Sequence, residues 1–295
     1  FQWRLSVEPS AAAIHLAIFV GMVVLALGTA LATIDWDVTR LFFGFQFLKG
    51  NAYFLFELAM DLFGLALVAG LAAAVYRRYV TRPERFQLIP CPGDKWNSLY
   101  LLGILALVAV TGFLVEGLRL AEQQHAARRL ERAGAGVAVF SAGGSAAKEP
   151  GASADPLAAD RESARNLPAA AWAPVGFVLG KLFSPLSSAT TRLLHQVFWW
   201  VHALGAFVFI ASIPFTKAFH VLTSPLNIFL ANTSARDKLV PATPSGAQRL
   251  TDFTWRQLLQ IDACTFCGRC LDACPTVIGG LPHATCSIVH GLSME

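Results

Sequence analysis

Four cysteines, Cys264, Cys267, Cys270 and Cys274, fall close together and are followed directly by Pro275, giving C-x2-C-x2-C-x3-C-P. This is the spacing of a ferredoxin-type run. Three thiolates on a tight turn can wrap one face of a [4Fe–4S] cube, and Gly268 eases that turn. In two-cluster ferredoxins the fourth cysteine of such a run serves the other cluster. A zinc site or a set of free thiols fits less well, because zinc sites favour paired C-x2-C arms. The fourth ligand of the first cube must come from elsewhere. Cys286 is the nearest candidate, Cys91 between Pro90 and Pro92 is a remote one, and a second run beyond Glu295 is the source this reading expects. One or two clusters are therefore implied. Thiolate ligation also calls for a reducing compartment.

Histidines make the second set. His15 opens the first apolar segment, while His195, His202 and His220 fall on the last. Ionisable residues inside a membrane are costly and by default functional. The spacing of His202 and His220 is a whole number of helical turns, so they share one face with His195, about 27 Å separating the first two. One helix cannot place two histidines on opposite sides of one iron, so each needs a partner from another helix. His15 begins its helix on the side where His220 ends, so a haem between them would be ligated by both. The plainer alternative is that His220 is only a polar interfacial residue. His202 has no opposite histidine; Leu25 stands where one is expected.

Acids come third. Glu57 and Asp61 are one turn apart in the second apolar segment, and Glu116 and Arg119 end the third. Electrons delivered into a membrane need a lipid-soluble acceptor, and such acids could carry the protons of quinone chemistry. Alternatively, Glu57 and Asp61 pair with Arg119 or Arg192 and simply hold helices together. Lys217 is expected to snorkel to the interface or to meet a haem propionate.

The elements that position these residues are membrane helices. The chain is 55% hydrophobic and 14% charged, with mean hydropathy +0.53, whereas soluble domains carry about 25% charged residues. Four segments, 13–34, 52–76, 98–120 and 190–216, can each cross a core that takes roughly 20 helical residues. Backbone groups in lipid must be satisfied internally, so all four are read as helices of an all-α membrane bundle. Trp36, Trp96, Trp172, Trp199 and Trp200 lie where interfacial anchors belong. The loop with Arg77, Arg78, Arg82, Arg85 and Lys95 outweighs the loop with Arg40 and Lys49, which makes the former cytoplasmic. Counting crossings places the cysteines in the cytoplasm too.

Residues 1–230 thus form the membrane domain, with a flexible Ala-, Gly- and Ser-rich insertion at 122–170 on the outer side. A linker follows at 231–250, then a small cytoplasmic ferredoxin-like segment at 251–295. In that segment "TWRQLLQIDA" is read as a short amphipathic helix leading into the cysteines. The net charge is only +4, without a basic stripe, which excludes nucleic acid as a partner. No inverted repeat or matched pair of broken helices supports a transporter.

"IHLAIFVGMVVLALGTALATID", "FELAMDLFGLALVAGLAAAVYRRYVTRP", "VTGFLVEGLRLA" and "LLHQVFWWVHALGAFVFIASIPFTKAFHVLTSPLNIF" resemble heterodisulfide-reductase-related membrane iron–sulfur proteins. In these, a cytochrome b domain like the nitrate reductase gamma subunit is joined to an iron–sulfur module. "DACTFCGRCLDACP" resembles their first cluster run, and the likeness covers nearly everything outside the insertion. The fused type is similar to bacterial electron-transfer-flavoprotein:quinone oxidoreductases. The resemblance implies a five-helix cytochrome b, with one helix before Phe1, in a bacterial or archaeal cytoplasmic membrane. It implies His15 and His220 as ligands of the cytoplasmic-side haem b and His202 as one ligand of a second. The other ligand of that second haem aligns with Leu25. That departure leaves His202 to serve a quinone site or to find another partner near His195 or at His125. It further implies an electron-transfer flavoprotein as cytoplasmic partner, menaquinone as acceptor, and membership of a larger redox complex. Two other readings stand beside the quinone-linked oxidoreductase. One is a membrane subunit of a heterodisulfide or sulfur reductase; the other is a non-enzymatic, membrane-anchored cluster protein. Haem content separates the last from the first.

Overall fold

The computed structural model describes residues 8–82, 92–134, 157–164, 167–231, 249–265, 267–272 and 274–280. Among these there is no strand, only helix and turn. Helix α1 (Pro9–Thr33) starts on a proline, whose missing amide costs nothing at a helix N-terminus. It runs on through a π-turn at Ile34–Thr39 to Arg40–Phe43, and Gly44 at φ +68° ends it. Helix α2 (Asn51–Val75) likewise continues as a π-turn, Tyr76–Thr81. Helix α3 (Pro92–Arg132) is followed by α4 (Ala158–Ala164), a 3₁₀ turn at Leu167–Trp172, and α5 (Pro174–Phe183). Then come α6 (Ser188–Ser212), α7 (His220–Phe229), α8 (Trp255–Asp262), and two single turns, α9 (Arg269–Asp272) and α10 (Pro275–Ile278).

Among the described residues, four helices are long and apolar enough to cross a membrane: Pro9–Phe43, Asn51–Thr81, Trp96–Arg132 and Ser188–Phe215. Each matches one of the segments expected from the sequence. Their large apolar side chains face outward, Leu27 and Phe207 among them, as lipid requires. Small residues close the contacts inside. A Cβ on Gly21 would stand 2.9 Å from the Leu67 side chain, and one on Gly180 would stand 2.9 Å from Leu120. Such approaches let α1 lie against α2, and α5 against α3, with good van der Waals contact.

Two features differ from the sequence reading. The third helix does not stop near 120 but continues to Arg132, and residues 158–164 and 167–172 are helical. Part of the stretch expected to be a flexible insertion is therefore ordered. Ala126, Ala127, Leu130 and Ala164 form a small core there, with Leu157 and Leu167 packed against it. Arg129 bonds both oxygens of Asp160 and the Ser188 hydroxyl.

The last apolar segment is also not one helix. After Ser212 come 3₁₀ turns at Ile213–Phe215 and Lys217–Phe219, with Thr216 extended between them (φ −132°, ψ 169°). Pro214 lacks the amide that an α-helix would need at that point. His220 therefore opens a new helix, and the face-counting that put it in line with His202 does not carry across the break.

The chain divides into two compact units, Phe1–Ala74 with Ala106–Ala206, and Val75–Leu105 with Phe207–Glu295.

Candidate functional site

The first unit holds a polar cluster. Helix α3 runs antiparallel to α2, so the end of one comes level with the beginning of the other. Arg119 on α3 donates through Nε to Glu116 Oε2 at 2.8 Å and through Nη2 to Glu116 Oε1 at 2.6 Å. The same Nη2 donates to Glu57 Oε1 on α2 at 3.1 Å, and Nη1 reaches the Tyr53 hydroxyl at 3.5 Å. A fork against both oxygens of one carboxylate is the strong arrangement for such a pair. Two carboxylates share one guanidinium, so with both acids ionised the group carries one excess negative charge. His195 on α6 lies within electrostatic reach of Glu122, Arg119 and Glu116.

Three of the expected proton-region residues, Glu57, Glu116 and Arg119, therefore come together. Asp61 has a different task. Its carboxylate accepts the Val175 amide at 2.8 Å and the Gly176 amide at 3.1 Å. These belong to the first turn of α5, whose own N-cap, Ala173, has no side-chain acceptor. Asp61 thus caps α5 from another helix, where both amide satisfaction and the helix dipole favour an anion. Arg192 pairs with Glu122 at 3.1 Å, not with Glu57 or Asp61. Tyr53 was not singled out from the sequence; its place one turn before Glu57 was the available signal.

The histidines differ in how they are held. His202 Nδ1 lies 3.0 Å from the Val108 carbonyl and 3.2 Å from the Thr111 hydroxyl, both on α3. His220 Nδ1 meets the Lys217 carbonyl in its own chain segment. A carbonyl only accepts, so both rings carry a proton on Nδ1, and in the neutral form of each the lone pair is on Nε2. That is the tautomer in which histidine ligates a metal through Nε2, with the second nitrogen anchored to a backbone oxygen. His15 stacks on Phe19, ring centroids 6.2 Å apart. His125 is half-buried on α3.

Around His220, the Lys217 amide donates to Asn97 Oδ1 at 3.3 Å and Lys217 Nζ to Ser98 Oγ at 3.4 Å, both at the start of α3. The bent segment is thereby tied to its neighbour on both sides of the Lys217 peptide.

The expected amphipathic helix before the cysteines is α8. Thr254 and Gln257 form a reciprocal capping box at its N-terminus. It packs on α7, and Thr223 reaches the Asp262 carbonyl at 3.5 Å. The Cys264 amide bonds the Ile261 carbonyl, so the run starts on the last turn of α8. Gly268 adopts φ +71°, the left-handed turn that glycine permits. Cys267 and Cys270 are exposed, whereas Cys274 is buried with Sγ 2.8 Å from Thr276 Oγ1. Among the described residues, no three of His, Cys, Asp and Glu converge as metal ligands, the four cysteines included. Cys91 and Cys286 lie outside the described residues.

Three curated proteins are similar to the chain. It is 28% identical over 279 residues to the EtfAB:quinone oxidoreductase of Syntrophomonas wolfei subsp. wolfei, a match covering 93% of this chain and 33% of that protein. It is 28% identical over 109 residues to the probable iron-sulfur-binding oxidoreductase FadF of Bacillus subtilis, covering 35% and 16% of the two chains. Over 39 residues it is 51% identical to a probable membrane-anchored ferredoxin of Chromohalobacter salexigens, covering 13% and 6%. The chain thus spans about a third of the first of these relatives and less of the others. No protein-family model and no solved structure matches it.

Proposed function

We propose that this chain is a membrane-bound electron-transfer protein working between a cytoplasmic redox partner and the quinone pool, through a [4Fe–4S] cluster and haem b. The observation that carries the reading is the shared posture of His202 and His220, each with Nδ1 on a backbone carbonyl. A histidine held in this way can offer Nε2 to a metal while its other nitrogen stays anchored. The cysteine run supplies the second support. The names of the relatives supply the third: a quinone oxidoreductase linked to EtfAB, an iron-sulfur-binding oxidoreductase and a membrane-anchored ferredoxin.

In this reading Cys264, Cys267 and Cys270 hold the cluster, with Cys274 or Cys286 serving it or a second one. His220 is one haem ligand, and His15 is the other by resemblance to nitrate-reductase-gamma-like domains. His202 is the candidate ligand of a second haem. The cofactors supply one-electron chemistry, and the chain supplies the rest. Arg119 fixes Glu57 and Glu116 in place, so the group can take up or release one proton while its guanidinium anchor stays intact. That suits a quinone, whose reduction needs protons as well as electrons; menaquinone is the expected form. His195 completes the polar edge of this region. The cytoplasmic partner is taken to be an electron-transfer flavoprotein.

The test is a reduced-minus-oxidised optical spectrum of the purified protein, with haem, iron and acid-labile sulfide counted per chain. A b-type spectrum that is lost in both His15→Ala and His220→Ala is expected. Iron and sulfide without any haem would overturn the wire to quinone and leave an anchored cluster protein.

A further inference from the structure

The seat of His202 is built from more than the histidine. Helices α3 and α6 approach closely there; a Cβ on Gly205, one turn past His202, would stand 3.3 Å from the Val108 side chain. Val108 is inside α3, so its carbonyl already accepts the amide four residues on, that of Gly112. A carbonyl has two lone pairs, and the second is open to a donor only where no side chain overlies it. Gly112 provides that opening. A Cβ on it would stand 3.2 Å from His202 Cε1 and 3.6 Å from Nδ1, with no other atom as near as 4 Å. The histidine ring fills the space that the glycine leaves.

Thr111 completes the arrangement. It is buried, and its hydroxyl lies 2.7 Å from the Leu107 carbonyl and 3.1 Å from that of Val108. The hydroxyl has one proton, which goes to the nearer Leu107 carbonyl, so toward His202 it can only accept. Carbonyl and hydroxyl both demand a donor from the ring, and they fix the Nδ1–H tautomer twice over.

We propose that Thr111 and Gly112 are positioning residues that hold His202 as a metal ligand, setting its tautomer and the basicity of Nε2. This rests on the haem reading of His202 given above. Hydrogen bonds accepted from Nδ1–H push electron density onto the ligating nitrogen and favour the oxidised metal. Removing one acceptor should therefore raise the midpoint potential of the centre that His202 serves.

The experiment compares wild type, His202→Ala, Thr111→Val, Thr111→Ser and Gly112→Ala by optical and electron-paramagnetic-resonance redox titration. His202→Ala marks which haem component belongs to this histidine. Thr111→Val should shift that component alone upward in potential, and Thr111→Ser, which keeps the hydroxyl, should return it. Gly112→Ala should perturb the same component more strongly or remove it, leaving the His220 component in place. If the component lost in His202→Ala is unmoved by both Thr111→Val and Gly112→Ala, or if His202→Ala removes no component, the proposal fails while the His220 haem stands. Nitrogen-15 spectra of histidine-labelled protein separate the two readings even in a haem-free preparation. An Nδ1-protonated His202 that loses its single tautomer in Gly112→Ala upholds the seat, and a mixed tautomer in wild type overturns it.

Discussion

The cluster around Arg119 and the cysteine run place their functional groups by opposite means. Glu57, Glu116 and Tyr53 converge on one guanidinium from two helices, every contact made by the chain itself. The four thiols follow one another in sequence and yet do not converge, two of them facing solvent. The difference is one of surroundings. In a membrane an unpaired polar group has no water to turn to, so helices must be packed with every charge already partnered. A solvent-exposed thiol pays no such penalty. Local sequence spacing would then suffice for the proposed cluster, because a metal centre gathers its own ligands and that binding is itself folding energy. The chain invests tertiary structure where the solvent is absent and primary structure where it is present.

The largest effect should come from attacking the cysteines. Cys267→Ser is expected to abolish the cluster signal outright and to lower bound iron and sulfide, while far-ultraviolet circular dichroism of the membrane helices stays as it was. A collapse of helical content with the cluster would break the contrast, showing that the run also holds the bundle. Second is Arg119→Leu, which strands Glu57 and Glu116 without their cation. Breaking a buried pair from one side costs about 3–5 kcal/mol, so a large fall in thermal stability in detergent is expected. Adding Glu57→Gln and Glu116→Gln to it should recover most of the loss. If the triple variant is as unstable as Arg119→Leu, packing and not charge explains the fall.

Third is Asp61→Ala, which removes the acceptor of two α5 amides. The loss of an N-terminal cap costs roughly 0.5–2 kcal/mol. Asp61→Asn keeps one acceptor oxygen and should recover part of the loss, read by melting temperature. Such a recovery would separate a capping role from a proton-carrying one, because asparagine cannot titrate.

These cases also show what was legible beforehand. The four spans could be read because twenty apolar residues in a row have few alternatives. The α8 helix could be read because its apolar residues recur with a helical period. The role of Asp61 could not, since the amides it caps are 114 and 115 residues away. The same applies to the seat of His202, whose partners on α3 lie 91 and 94 residues before it. The break after Ser212 is an intermediate case. Pro214 was in plain view, but an apolar stretch of the right length invited an unbroken helix. Membrane helices tolerate proline where other groups satisfy the freed backbone, here Thr216, whose hydroxyl accepts the Ala218 amide, and Asn97.

The smallest effect belongs to Arg129 and Asp160, at the helical edge of the insertion, where the pair joins the end of α3 to α4. Hydrogen bonding from Arg129 holds the Asp160 carboxyl below its ordinary range. A carboxyl with a lowered folded-state pKa stabilises the fold fully above its unfolded value, near 3.9. That contribution disappears as pH falls through the folded value. The Arg129 side chain is 37% exposed, so solvent screening keeps the pair at or below about 1 kcal/mol despite its fork geometry. Between pH 7 and 5, Asp160→Asn should therefore melt slightly below wild type, and the two curves should meet below pH 3. Added salt should narrow the gap at neutral pH. The corresponding gap for Arg119→Leu should hardly respond to salt, because Glu57 and Glu116 sit on helices apolar and long enough to cross a membrane. Equal salt sensitivity at the two sites would mean that water reaches the Arg119 cluster as freely as it reaches the insertion, and the contrast between a lipid-enforced site and a solvated one would fail.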